Sequence, residues 1–321
     1  MFGGITRTLR QAARERFIQP HYHVYVRLNG GAEHRVVLPK CPLDAEFAAD
    51  PFLFRHKGET YLFFEGLYAD RGDRGRAKGV IACLRQAGDS WIDCRIVLEE
   101  PWHLSFPNVF EVDGRVCMIP ESGQSGAVSL YECVEFPSRW KKRCDLIRGG
   151  CNYVDAAMVV DDGTFFISVT PDAPRRPELW MADRLDGPWT KHPQSDNVSS
   201  TPMLRRNGGA FVRDGGRLYR IAQDCEGAYG RRVLCVPVMV VNRTQYAEGE
   251  PEELSSAVDW PQPLPYHTYN RVVTDKGLLE VVDRHYYTVK RGRALLSASF
   301  WYVVDSLTYF FRKARPATTA S

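Results

Sequence analysis

The feature that most constrains this 321-residue chain is a phrase that returns roughly every fifty residues. AADPFLFRHKGETYLFFEG, from Ala48 to Gly66, supplies an acidic lead-in, a strand, a tight turn at Gly58 and a second strand. Parallel phrases begin at Ser105, Tyr153, Arg205 and Tyr266, with turn glycines Gly114, Gly163, Gly215 and Gly277. In the first phrase Tyr61 and Phe63 fall on one face and Leu62 and Phe64 on the other, as in a strand buried on both sides. Trp91, Trp140 and Trp189 recur at intervals of 49 residues, each after the hairpin and one further strand, where an outer strand would lie. Several short strands per unit at this period predict a β-propeller rather than a helical array. The expected fold is all-β, a five-bladed β-propeller over residues 21–290, with short helical extensions at residues 1–20 and 291–321. Residues from about Tyr22 to Leu38 form a strand, a turn at Gly30–Gly31 and another strand, which either close the ring or precede the first blade.

Composition narrows the partners. A formal net charge of +3, with lysine and arginine scattered through the middle of the chain, gives no footprint for nucleic acid. The 9 cysteines include no CxxC and no Cys/His cluster at zinc spacing, so neither a metal nor another cofactor is read from them. Their odd number, and an N-terminus without the apolar core of a secretory signal, predict a cytoplasmic setting. Residues 1–17 read as a basic amphipathic helix, with Phe2, Ile5, Leu9, Ala13 and Phe17 on one face and Arg7, Arg10, Arg14 and Arg16 around the other. The apolar stretch Leu295–Phe311 is flanked by Lys290, Arg291, Arg293, Arg312, Lys313 and Arg315, and its modest length and Asp305 argue against a spanning helix. Either these ends pack on the propeller rim, or they make a peripheral contact with an anionic membrane at its inner face.

Propeller blades present the start of their innermost strand to a central channel, so candidate site residues are sought there. Asp50 precedes the first inner strand and Asp155 the third, and two carboxylates facing one pocket suit sugar chemistry. The plainer use of both is to cap the turn before a strand. Glu121 ends a buried-looking strand beside a loop of small residues, and His267 leads the fifth blade with a side chain that titrates near neutrality. These four are the candidate catalytic residues. Candidate substrate-binding residues are Glu65, Asn108, Arg206, Gln223, Asp224, Tyr229 and Asn270. Arg206 and Asp224 are equally well read as an ion pair that holds neighbouring blades. The charged loop Tyr68–Lys78 offers Arg71, Arg74 and Arg76, either as a solvated hairpin or as a lid meeting an anionic group.

Taken together, ADPFLF…GETYLFFEG, HLSFPNVFEVDGRVCMIPES, SLYECVEFPSRW, GPWTKHP, YRIAQDC with YGRRV, and HTYN resemble the N-terminal propeller of the glucosamine inositolphosphorylceramide transferases and its bacterial stand-alone relatives, from about Ala48 to Asp283. In the plant transferases a separate glycosyltransferase domain follows, and only a short tail is expected here. ADP followed by a hairpin is more distantly similar to the first blade of glycoside hydrolase family 43. That resemblance implies an aspartate base at Asp50, a second aspartate at Asp155 and a glutamate acid on a later blade. Blade two carries Pro107–Asn108 where an acid would fall, blade four carries Arg206, and Glu121 is the best substitute acid.

Three functions are compatible with these residues. One is an enzyme, of glycosyltransferase or sugar-processing type, acting in cell-surface glycan or glycolipid assembly with Asp50 as base. The second is a glycoside hydrolase of the five-bladed furanosidase type. The third is a non-catalytic glycan-binding module supporting a partner glycosyltransferase. Basic, aromatic-rich ends, which would hold the chain where a glycolipid lies, favour the first or the third, and the first is preferred.

Overall fold

The computed structural model describes residues 18–69, 78–173, 175–226, 229–253 and 265–289. The amphipathic stretch 1–17, the apolar stretch 295–311 and the arginines of the charged loop fall outside the described residues. The chain divides into two compact units, one of residues 22–285 and one of residues 1–21 with 286–321. In the second, His21 stacks on Tyr286 at 4.8 Å between ring centroids and its Nε2 lies 2.7 Å from the Thr288 hydroxyl.

The described strands form four sheets that sort into five sets, antiparallel within each, the first and last being joined in one sheet by a parallel pairing of Tyr22 with Phe47. Blade I is Leu43–His56, Glu59–Tyr68, Gly79–Ala87 and Ser90–Leu98. Blade II is Ser105–Val112, Arg115–Glu121, Ala127–Glu135 and Arg139–Arg148. Blade III is Tyr153–Asp161, Thr164–Pro171, Glu178–Ala182 and Thr190–Lys191. Blade IV has an interrupted inner strand, Arg206–Asn207 and Val212–Asp214, then Arg217–Asp224, Arg232–Val241 and Tyr246–Glu248. Blade V takes its inner strands, Tyr269–Thr274 and Gly277–Val289, from the end of the chain. Its outer two, Ile18–Leu28 and His34–Arg35, come from the beginning. The N-terminal hairpin therefore closes the ring.

Successive inner strands are tied by hydrogen bonds in cyclic order. Asn270 Oδ1 accepts Leu53 N–H at 2.8 Å (V to I), and Asp50 Oδ2 accepts Phe106 N–H at 3.1 Å (I to II). Asn108 Oδ1 accepts Met158 N–H at 3.0 Å (II to III), and Asn207 Nδ2 donates to the Asp155 carbonyl at 2.8 Å (III to IV). Tyr269 N–H donates to the Gly208 carbonyl at 2.7 Å and completes the circle. Between blades the faces are apolar. Tyr61, Phe63, Ile81 and Cys83 pack with Phe106, Val109 and Met118, while Leu62, Phe64, Val80 and Ala82 pack with Val24, Leu279 and Val281. Blade I is thus buried on both faces, as its unbroken apolar run predicts. Trp91 and Trp140 lie on outer strands and Trp189 immediately before one.

All 9 cysteines are free thiols. Among the described residues no helix is long and apolar enough to cross a membrane.

Candidate functional site

The inner strands of blades I to III share a local device. Each carries a register shift just where one residue adopts a left-handed backbone: Asp50 at φ 48°, Phe106 at φ 45° and Asp155 at φ 54°. Such a bulge bends the strand and re-aims a side chain. Aspartate tolerates this conformation because its short side chain can bond locally, whereas phenylalanine adopts it only under constraint from its surroundings. In blade II the equivalent residue is thus Phe106, a buried ring, rather than Pro107 or Asn108.

Asp50 is buried and fully engaged. Its Oδ1 accepts the Thr268 hydroxyl at 2.6 Å and lies 3.4 Å from His267 Nε2, and its Oδ2 accepts Phe106 N–H. On the far side of the imidazole, His267 Nδ1 lies 2.7 Å from Asp283 Oδ2. Asp283 also accepts the backbone N–H groups of Asp50, His267 and Thr268 at 3.0, 3.1 and 3.0 Å. Burial pushes Asp50 up to about 7 against the pull of His267, with Glu65 and Asp283 adding to the rise. Burial opposes the charge on His267, yet Asp283 and Asp50 carry it up to about 9. Burial alone would raise Asp283, but His267 and the three backbone donors hold it below the usual carboxylate range. His285, two residues on from Asp283, is brought down to about 4 by burial and by the neighbouring His267 charge. Asp50, His267 and Asp283 offer one ligand atom each within 4.8 Å of one another, a set able to hold a cation. In the present arrangement the His267 proton supplies that charge.

A second cluster adjoins the first. Arg206 Nε lies 2.5 Å from Asp155 Oδ2 and its Nη2 donates to Oδ1 at 3.0 Å, a two-point fork. Glu121 Oε2 accepts Asp155 N–H at 3.1 Å and lies 4.0 Å from Arg206 Nη2. Burial raises Glu121 well above the ordinary range, Asp155 adds to this, and Arg206 only partly offsets it. Tyr229 joins the two clusters: its ring centroid is 5.5 Å from the Arg206 guanidinium carbon and 5.3 Å from the His267 ring. Glu65, in the second strand of blade I, lies 3.1 Å from His103 Nε2. Gly79 N–H donates to His103 Nδ1 at 3.0 Å, fixing Nε2 as the protonated nitrogen. Burial works against charge on His103 and Glu65 outweighs it, raising the ring to about 9. The Gly79 donor resists that second proton.

The structure therefore brings together Asp50, Glu65, Glu121, Asp155, Arg206, Tyr229 and His267. Gln223 joins them through its Nε2, 3.4 Å from the His267 carbonyl. Asp224 is committed elsewhere: its carboxylate accepts Glu226 N–H at 2.8 Å and Arg232 Nε at 3.0 Å. Asn108 and Asn270 spend their carbonyl oxygens on the blade-to-blade bonds given above. Four residues of the site were not singled out in the sequence: His103, Thr268, Asp283 and His285. Asp283 and His285 carry a readable signal, an acid and a histidine at strand period where the stretch LLEVV gives way to DRH.

The family model described as "Glucosamine inositolphosphorylceramide transferase 1, N-terminal" matches residues 37–258. The chain belongs to this family. The transferase of that name from Arabidopsis thaliana is 34% identical over 218 residues, which cover 65% of this chain and 28% of the plant protein. The one from Oryza sativa subsp. japonica is 32% identical over 213 residues, covering 64% and 28%. The chain thus spans little more than a quarter of the length of these relatives. Among solved structures, a thermostable family-43 glycoside hydrolase superposes with a TM-score of 0.53 at 13% identity, over 77% of this chain and 89% of that one. An α-L-arabinofuranosidase from Lactobacillus brevis gives 0.52 at 15% identity, over 69% and 82%. The family match is to the N-terminal part of a transferase, and the solved structures establish kinship of fold alone.

Proposed function

We propose that the chain holds a saccharide in the axial hollow, where Asp50 serves as general base toward a sugar hydroxyl in glycan or glycolipid assembly. The observation that carries this reading is a buried carboxylate poised near neutrality beside an imidazole that a second carboxylate orients. Thr268 and Phe106 N–H fix the geometry of Asp50, and Glu121, whose carboxyl burial raises, is the candidate acid in the adjoining cluster. The names of the plant relatives supply the class, transfer of a sugar to an inositolphosphorylceramide; for this chain both donor and acceptor are open. A hydrolase mechanism of the family-43 kind is less well supported, because the fork from Arg206 already neutralises Asp155.

A second reading is a glycan-binding module serving a partner glycosyltransferase. It is favoured by the same hydrogen-bonded saturation of Asp50 and Asp155. Contact of the basic termini with an anionic membrane belongs to either reading and rests on the charge pattern of those segments. Saccharide turnover by the full chain, compared with that of Asp50→Asn, separates the two. Loss of turnover with binding retained supports the enzyme, and binding without turnover in the parent chain sinks it.

A further inference from the structure

Beside the axial cluster lies a cavity of about 390 Å³ whose walls include Arg175, Arg205, Arg206, Asp172 and Tyr229. Its three guanidinium groups are not equivalent. Arg206 is forked onto Asp155 and its charge is spent. Among the described residues, neither Arg175 nor Arg205 has a carboxylate within ion-pair distance; Arg175 uses only its Nε, toward the Asp172 carbonyl at 3.3 Å. Asp172 receives Asn152 Nδ2 at 3.0 Å, and it is the single acid in the cavity wall. Two uncommitted guanidinium groups in one concave site, one acid between blades III and IV, and an aromatic wall shared with the catalytic candidates call for an anionic ligand.

We propose that this cavity binds the phosphate of a phosphorylated sugar whose ring reaches the axial hollow past Tyr229. The inference rests on the axial hollow being a saccharide site. A terminal phosphate presents three oxygens in a tetrahedral array, so it can accept from two guanidinium forks that come from different loops. A sugar carboxylate presents two oxygens in a plane and suits a single fork. The volume accommodates such a ligand, since small-molecule clefts begin at roughly 300 Å³. Asp172, at the rim, is placed to accept a sugar hydroxyl rather than to compete for the anion.

The test is calorimetric titration of the full chain with hexose 1- and 6-phosphates, the matching free hexoses, hexuronates and inorganic phosphate. At least one sugar phosphate is expected to bind about tenfold or more tightly than its free sugar. R175A/R205A is expected to abolish that gain while leaving free-sugar affinity and melting temperature unchanged, and R175K/R205K to keep part of it. Equal affinity for each phosphate and its free sugar would overturn the inference and leave the saccharide site standing. So would a gain that survives R175A/R205A, or hexuronates matching the phosphates. Inorganic phosphate that binds through Arg175 and Arg205, with no sugar binding anywhere, would instead remove the saccharide site on which the inference rests.

Discussion

Arg206 closes a two-point fork on Asp155, with Nε 2.5 Å from Oδ2 and Nη2 3.0 Å from Oδ1, across the seam between blades III and IV. Read from the sequence, Asp155 is a catalytic candidate and Arg206 a substrate-binding one. Joined, they form a charge pair that also holds the seam, with the Asp155 carbonyl accepting from Asn207 beside it. Removing the arginine leaves the Asp155 carboxylate without its partner, next to Glu121, in a site where Arg206 is only 24% exposed. Breaking a buried pair costs more than the pair contributes, because the remaining charge has no partner.

Arg206→Ala is therefore expected to lower stability by about 2–4 kcal/mol. Urea unfolding of the two proteins checks this. A loss under about 1 kcal/mol would class the fork with exposed ion pairs.

Asn108 and Asn270 occupy corresponding places on inner strands and each accepts a backbone N–H from the next blade, at 3.0 and 2.8 Å. Both amides are buried, so alanine would leave Met158 or Leu53 N–H without a partner and out of reach of water. Asn108→Ala and Asn270→Ala should each cost about 1–3 kcal/mol. They lie in different seams and share no partner, so the double variant should lose close to the sum. Unfolding midpoints of the two singles and the double measure it; near-neutral singles would return both residues to the pool of free ligand contacts.

The ring was legible because its period is written in local chemistry: turn glycines, paired strands and recurrent tryptophans. Closure was less so, since the pairing of Ile18–Leu28 with Gly277–Val289 spans most of the chain and leaves no local mark. The site divides the same way. Asp50, Asp155 and His267 announce themselves at inner-strand starts, and the structure gathers them. Asp283 sits on a second strand, where an acid following the stretch LLEVV reads as an irregularity until the fold sets it beside His267. Asn108 and Asn270 look like polar groups free for a ligand, and only coordinates reveal that the backbone of the next blade takes them, at Met158 and, across the closure of the ring, at Leu53. Sequence periodicity assigns a face to a side chain, not a partner.

The pH dependence of stability follows from the histidines. His267 rises from 6.5 to about 9 on folding, so the folded chain keeps a proton that the unfolded chain has lost. Its contribution is fully present below pH 6.5 and disappears as pH climbs through about 9. The shift corresponds to about 3 kcal/mol. Below that window two groups oppose each other. Asp50, raised from 3.8 to about 7, lowers stability as pH rises, whereas His285, lowered from 6.5 to about 4, increases it. Stability should thus vary little between about pH 4.5 and 6.5 from these groups and fall from there to pH 9. His103 is raised to about 9 as well, so His267→Gln should lessen the fall without abolishing it. Denaturant titrations at pH 6, 7.5 and 9 decide it, and identical slopes in the two proteins would assign the proton elsewhere.

Asp50→Asn tests the chemistry with the least disturbance to the fold. Near pH 7 the parent carboxyl is already about half protonated, because burial raises it that far, so a neutral amide is close to one of its natural states. The amide oxygen can still accept the Thr268 hydroxyl, and what is lost is the second acceptor, which Phe106 N–H uses. The destabilisation should be modest, about 1 kcal/mol, and should shrink or change sign above pH 7, where the parent must bury a charge that the variant lacks. Function should respond differently. If Asp50 takes a proton from a sugar hydroxyl, no amide can replace it, and turnover should drop by about a hundredfold or more with sugar affinity held within a fewfold. Parallel measurement of turnover, affinity and melting temperature separates the outcomes. Turnover that survives the substitution would take the proton-transfer role away from Asp50, and a collapse in affinity with stability intact would make the residue a sugar ligand instead.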